Sequence, residues 1–255
     1  MAQKIKVGAV SYLNTKPLIY GFEQGMMKAE IDLLIDYPAN VAEMLCNNQI
    51  DIGLIPVTAI PLLPEHYIIS DYCIACDGEV ASVCLFSDVP LQEIETILLD
   101  YQSRTSVALL KMLLQEHWKI SPKLIAGKEH YENDITGTTA GLIIGDRALI
   151  QRLHSTYIFD LGQAWKEMTG LPFVFAAWVS NKELPVEFIK AFNVANEYGF
   201  IHLDEVIKQN PITVFDLKSY YTRFIKFKLD RDMYTAKDFF LTKIKSMKID
   251  VMKID

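Results

Sequence analysis

The sequence contains no apolar run approaching the ~20 residues that a helix needs to cross a bilayer, so a helical membrane span is excluded. It also lacks an excess of positive charge. Its 25 lysines and arginines stand against 32 aspartates and glutamates, a formal net charge of -7. That argues against a nucleic-acid partner, which needs a basic face. A small anion is not excluded, because a local helix end can oppose the global field. No secretion leader is apparent, since the charged start Met1-Ala-Gln-Lys-Ile-Lys6 runs straight into a strand pattern. If Met1 is the native start, a cytoplasmic location is expected. Cysteine is scarce: Cys46, Cys73, Cys76 and Cys84 are all there is. Cys73-Ile-Ala-Cys76 is a lone CxxC, and a zinc site would need a second pair or spaced histidines. The nearest histidines, His66 and His117, are not at ligand spacing. A redox pair should open a helix after a strand, whereas this one lies in an apolar stretch before Asp77-Gly78. Buried, reduced thiols and no metal are expected.

What is present is ordinary globular material. The 255 residues allow one large domain or two small ones, and 51% hydrophobic with 22% charged residues suffices for a sizeable core. The chain is organised around Lys4-Ile-Lys-Val-Gly-Ala-Val-Ser-Tyr-Leu-Asn-Thr-Lys-Pro-Leu18. A β-rich run turns at Ser11, Asn14 and Thr15, and Pro17 suits a first helical turn. Ligands of open α/β sheets bind at such carboxyl ends of strands, and hydroxyl or amide groups beside free helical N–H groups favour an anion. The alternative is a capped helix with no ligand. Strands at 31–36 and 50–56 alternate with helices at 17–24 and 39–46, which implies a parallel sheet with crossover helices. Pro56, Val57 and Thr58 then share the edge with Asn14. A further strand runs over 80–87; on pattern alone, its Ser82 faces outward.

A second unit repeats the arrangement. A strand at 95–100 meets Ser103-Arg-Thr-Ser106 and a helix from Val107 to about His117. Three hydroxyls and Arg104 exceed what one cap needs and suit a carboxylate, which arginine binds bidentately; the alternative is an N-cap with a surface arginine. In Gly141-Leu-Ile-Ile-Gly-Asp-Arg-Ala-Leu149, the expectation is that the Gly145 backbone serves the site while Asp146 caps the next helix. Phe173 to Val179 reads as a strand buried on both faces. From Pro185 the chain reads helical, with aromatic stripes that belong to packing. Met247-Lys-Ile-Asp250 and Met252-Lys-Ile-Asp255 repeat, too few copies for a repeat fold, so a frayed tail is expected. Two α/β lobes follow: 1–86 with 179–255, and 87–178. The chain would cross near 86–90 and 176–181, and a dicarboxylate between the lobes would place one carboxylate on each.

Val10-Ser-Tyr-Leu-Asn-Thr-Lys-Pro-Leu18, Asp51-Ile-Gly-Leu-Ile-Pro-Val57, Asp77-Gly-Glu-Val-Ala-Ser-Val83, Ser103-Arg-Thr-Ser106, Ile144-Gly-Asp-Arg-Ala-Leu149 and Thr169-Gly-Leu-Pro-Phe-Val-Phe175 together resemble the motif series of the chorismate dehydratases, which open the futalosine route to menaquinone. The resemblance covers roughly residues 4 to 180. It implies a two-lobed type II periplasmic-binding-protein-like α/β fold with the ligand cleft between lobes. It also implies chorismate as substrate and 3-[(1-carboxyvinyl)oxy]benzoate plus water as products, with no cofactor. Asn14 and Ser82 match family active-site positions and are expected to be catalytic. Ser11, Thr15, Pro56, Val57, Ser103, Arg104, Thr105, Ser106 and Gly145 are expected to bind substrate. The matched motifs contain no histidine, so the substrate's own enolpyruvyl carboxylate is the expected base. A solute-binding protein for a small dicarboxylate is the alternative, and it would carry a secretion signal. A ligand-sensing regulator would show a DNA-binding helix pair and a basic surface; neither is visible. Oligomeric state is not legible.

Overall fold

A computed structural model describes residues 4–250; the second copy of the C-terminal repeat, where a frayed tail is expected, lies outside them. Among the described residues, eleven strands form two sheets. They are β1 (Ile5–Val10), β2 (Ile31–Asp36), β3 (Ile52–Pro56), β4 (Tyr67–Cys76), β5 (Val83–Ser87), β6 (Thr96–Leu99), β7 (Lys123–Ala126), β8 (Thr139–Ile144), β9 (Tyr157–Asp160), β10 (Phe173–Ser180) and β11 (Lys226–Lys228). The first sheet has the order β11-β4-β10-β3-β1-β2 and the second β7-β6-β8-β5-β9. As expected, β2, β1 and β3 are parallel, joined by helices α1 (Lys16–Glu23) and α2 (Pro38–Cys46). Both helices have proline in the first turn, where its missing N–H costs nothing. Gly8 and Gly53 pair across β1 and β3. A Cβ on either would meet Val41 of α2, at 3.0 and 3.3 Å, so these two glycines let α2 lie close against the sheet.

The second sheet packs against α3 (Arg104–Leu113), α4 (Gly145–Gln151) and α5 (Leu161–Thr169). The expected lobe boundaries need correction. Residues 83–86, placed in the first lobe, belong to β5, which pairs with β8 and β9 of the second sheet. Residues 173–178, placed in the second lobe, belong to β10, which inserts between β3 and β4 of the first. The chain therefore crosses between sheets over 77–82 and again over 161–172. Both strands are apolar on both faces, so their pattern does not say which sheet they join.

After β10 come α6 (Val186–Ile201), α7 (Leu203–Gln209), the single turn α8 (Leu217–Ser219) and α9 (Arg231–Met247). Helix α6 packs against α1 and β4, and α9 against β10 and also against α3 and Trp165 of α5 on the second-lobe side. The strand β11, paired with the end of β4, interrupts what reads as a purely helical region. Helices α1 and α6 approach closely through glycine. A Cβ on Gly199 would overlap the carbonyl oxygen of Pro17, and one on Gly21 the carbonyl of Ala195. Backbone cannot retreat as a side chain can. Gly199→Ala is therefore expected to cost about 1–3 kcal/mol or more, read as a lowered thermal midpoint; an unchanged midpoint would show that the helices can part freely.

Candidate active site between the two sheets

The carboxyl end of β1 and the turns before β5 and α3 converge on one narrow cleft. Asn14, Pro56, Ser82, Ser103, Thr105, Ser106 and Gly145 all line it. The other expected residues do not. Ser11 is exposed and Val57 fully buried, Thr15 is buried behind Asn14, and Arg104 is absent from the lining. Thr15 still has a part, because its hydroxyl donates to Asn14 Oδ1 at 3.4 Å. A hollow on the outer face of the first lobe is wider, but it is open and none of Asn14, Ser82, Ser106 or Gly145 lines it.

Ser82 does not face outward. It is wholly buried from bulk water at the bend before β5, and its Oγ accepts a hydrogen bond from the Tyr220 hydroxyl at 2.7 Å. Ala81 beside it has φ of 64°, a conformation that costs a non-glycine residue about 1–3 kcal/mol. The Asp160 carboxylate holds this bend. It accepts the N–H of Val80 at 3.1 Å and of Ala81 at 2.8 Å, and also caps α5 through the N–H of Gln163.

The α3 end is built from hydroxyls. Ser103 Oγ caps the helix by accepting the Ser106 N–H at 3.1 Å, and it donates to Ser106 Oγ at 2.8 Å. Thr105 shares a hydrogen bond of 3.0 Å with Thr58 of the first lobe. The expected division of labour at Gly145 and Asp146 is corrected. The Gly145 N–H donates to the Ser82 carbonyl at 2.8 Å and so is not free for ligand. With φ of 64° and no side chain, Gly145 instead admits the Tyr12 ring, about 3.1 Å from where a Cβ would lie. Asp146 does not cap its own helix; its Oδ1 accepts the Leu13 N–H at 3.0 Å across the cleft.

Tyr12, Tyr220 and Tyr221 went unmarked in the sequence. The Tyr12 hydroxyl donates to Gln102 of the second lobe. Behind Gln102, Arg147 bonds Asp100 at 2.6 Å and Glu132 at 2.7 Å, and Tyr131 donates to Asp100. Burial raises the Tyr12 phenol, with Asp100 adding to the effect, so the hydroxyl stays neutral. The Tyr221 hydroxyl donates to the Leu13 carbonyl at 3.0 Å. The position of Tyr12 inside the first motif was the available signal. The two later tyrosines offered none, because aromatic residues among helices ordinarily pack.

No histidine, aspartate, glutamate, lysine or arginine lines the cleft, so it binds through neutral dipoles and helix ends. Among the described residues, no three His, Cys, Asp or Glu side chains gather as a metal would require. Cys73 and Cys76 are fully buried free thiols, and burial raises both.

A two-sheet α/β molecule with its polar residues in the cleft between sheets has the fold of the periplasmic binding proteins. A protein of Archaeoglobus fulgidus shares it with TM-score 0.75 at 15% identity, covering 97% of this chain and 98% of that one. The periplasmic aliphatic sulphonate binding protein of Escherichia coli does so with TM-score 0.64 at 12% identity, covering 98% and 94%. Within this class the chain belongs to the menaquinone biosynthesis family, whose model matches residues 5–246. It is similar to the chorismate dehydratase of Thermus thermophilus, 28% identical over 232 residues, 78% of this chain and 79% of that protein. It is also 27% identical to the chorismate dehydratase of Campylobacter jejuni over 252 residues, covering 95% and 98%.

The Asp160 bond set has a pH consequence. Burial pushes this carboxyl up, and the N–H groups of Gln163, Val80 and Ala81 together with Arg152 offset only part of that. A folded value above the unfolded one means that the folded chain keeps a proton the unfolded chain releases. Stability from this group is thus highest at acid pH and falls as pH rises from about 4 through the folded value. Thermal midpoints of the native chain and Asp160→Asn, compared from about pH 4 upward, are expected to differ in slope, the variant lacking this downward component. Parallel curves would contradict it.

Proposed function

We propose that the cleft binds chorismate and dehydrates it to 3-[(1-carboxyvinyl)oxy]benzoate and water. The observation that supports this most strongly is where Asn14 and Ser82 meet. Asn14 follows β1 of the first sheet and Ser82 ends the first crossing between sheets, yet both line one cleft together with the hydroxyl-bearing end of α3. That arrangement offers donors at two ends, as a substrate with two carboxylates needs. Ser103, Thr105 and Ser106 bind one carboxylate, aided by the α3 N-terminus. Asn14 and Ser82 hold the departing ring hydroxyl and the enolpyruvyl end.

The reaction removes the ring hydrogen at the carbon bearing the ether and expels hydroxide from the neighbouring carbon. The C–H electron pair becomes the new ring double bond, and the proton and hydroxide leave as water. Aromatisation supplies the driving force, so the protein contributes orientation and proton management. No basic side chain lines the cleft, and Tyr12 is held neutral. The enolpyruvyl carboxylate of the substrate, folded over the ring, is therefore the base. Action in the cytoplasm without nucleic acid belongs to the same proposal and agrees with the acidic balance of the chain.

Incubation with chorismate, followed by absorbance and mass, tests the reading; binding without turnover would favour a solute-binding role instead. Asn14→Ala and Ser82→Ala are each expected to lower kcat by about 10²–10³, the usual cost of one preorganised donor, with the fold intact by circular dichroism. Ser106→Ala should chiefly raise KM, since a carboxylate is held equally in ground and transition states. Near-normal kcat in both of the first two variants would remove the assigned roles. A chorismate analogue lacking the enolpyruvyl carboxylate should bind but not dehydrate; full-speed dehydration would exclude the substrate as base.

A further inference from the structure

The C-terminal segment adds a group to this site that no motif marks. Residues Tyr220–Phe224 form one π-helical turn, a wide turn that often occurs at functional positions. It follows α8, which Asp216 caps by accepting the N–H groups of Lys218 and Ser219. The turn buries two consecutive tyrosines, and both reach back to the cleft. Tyr221 holds the Leu13 carbonyl at 3.0 Å, while Tyr220 is fully buried and donates to Ser82 Oγ at 2.7 Å. Burial pushes the Tyr220 phenol up, and the nearby Ser82 and Asn14 side chains offset part of that. Tyr220 does not itself line the cavity.

A serine hydroxyl has one proton and two acceptor sites. With Tyr220 donating to it, Ser82 Oγ has its proton left to give. Within the protein only the Val80 carbonyl is near, at 3.5 Å, too long for a good bond. We infer that Tyr220 is a positioning residue that makes Ser82 a donor into the cleft, in a relay running from the Tyr220 hydroxyl through the Ser82 hydroxyl to the substrate. Without Tyr220, the Ser82 hydroxyl is no longer held as a donor toward the cleft. This rests on the dehydratase reading for the identity of the acceptor, but not for the relay itself.

Tyr220→Phe removes one oxygen and keeps the ring. It is expected to lower kcat about tenfold, the worth of one hydrogen bond of ordinary strength, and to change KM far less. In a Ser82→Ala background the same substitution should have little further effect on kcat, because the group it acts through is gone. A merely structural tyrosine would give equal losses in both backgrounds. Thermal midpoints of the same four proteins form a second cycle that needs no activity, and they too should be non-additive. If the unmutated chain fails to turn chorismate over, the functional reading falls and the thermal cycle alone decides the relay. If Tyr220→Phe does not fold, 4-aminophenylalanine in place of Tyr220, which keeps a donor, should hold kcat within about threefold of native. Additive losses in the cycle that is available, an unchanged kcat in Tyr220→Phe, or a collapse of kcat with the donor retained would each overturn the inference.

Discussion

The structure depends on where β10 lies. This fully buried strand pairs antiparallel with β3 on one side and β4 on the other. Because it completes the first sheet from within, the first lobe cannot close until the second has been traversed. The chain must cross between sheets twice, and the cleft forms at those crossings. Trp178 of this strand donates its indole N–H to Asn196 of α6 at 2.8 Å. Phe173 stacks edge-on against Phe240 of α9. The same strand thus docks the C-terminal helices, and it is those helices that bring Tyr220 and Tyr221 to the site.

The cleft sets a few uncharged polar groups into mostly apolar walls. Its ions stand one layer back: Asp100 with Arg147 and Glu132 behind Gln102, and Asp160 behind Val80 and Ala81. There they set backbone and amide groups, and dipoles meet the ligand. This suits an anionic substrate in an acidic protein. Fixed N–H and O–H donors bind a carboxylate without a basic side chain that would compete for the proton being moved. The buried ion pairs that hold these groups would be costly to break singly.

Several hydrogen bonds join the lobes across the cleft: Leu13 to Asp146, Tyr12 to Gln102, Thr58 with Thr105. All three involve the carboxyl ends of strands in one sheet and helix beginnings or turns in the other. The lobes therefore meet through the groups that surround the ligand space.

The sequence by itself determined the local pieces. Period and turn residues placed α1, β2 and α2 within a residue or two. The hydroxyl-rich turns identified Asn14, Ser103, Thr105 and Ser106 as cleft residues, and the motif resemblance added Ser82. These are properties of neighbours along the chain, where propensity and capping act. What only the tertiary structure decided was partnership over distance. The apolar runs at 83–87 and 173–180 read alike in either lobe, because a strand buried on both faces carries no mark of which sheet it joins. Asp146 looked like a cap because caps are local; its true partner, the Leu13 N–H, lies 133 residues away. Tyr220 looked like packing because nothing in its own segment shows that its hydroxyl ends 2.7 Å from Ser82. A side chain's chemistry is written in the sequence, but whether its polar atom is satisfied by water, by core or by a catalytic neighbour is settled only when distant segments are brought together.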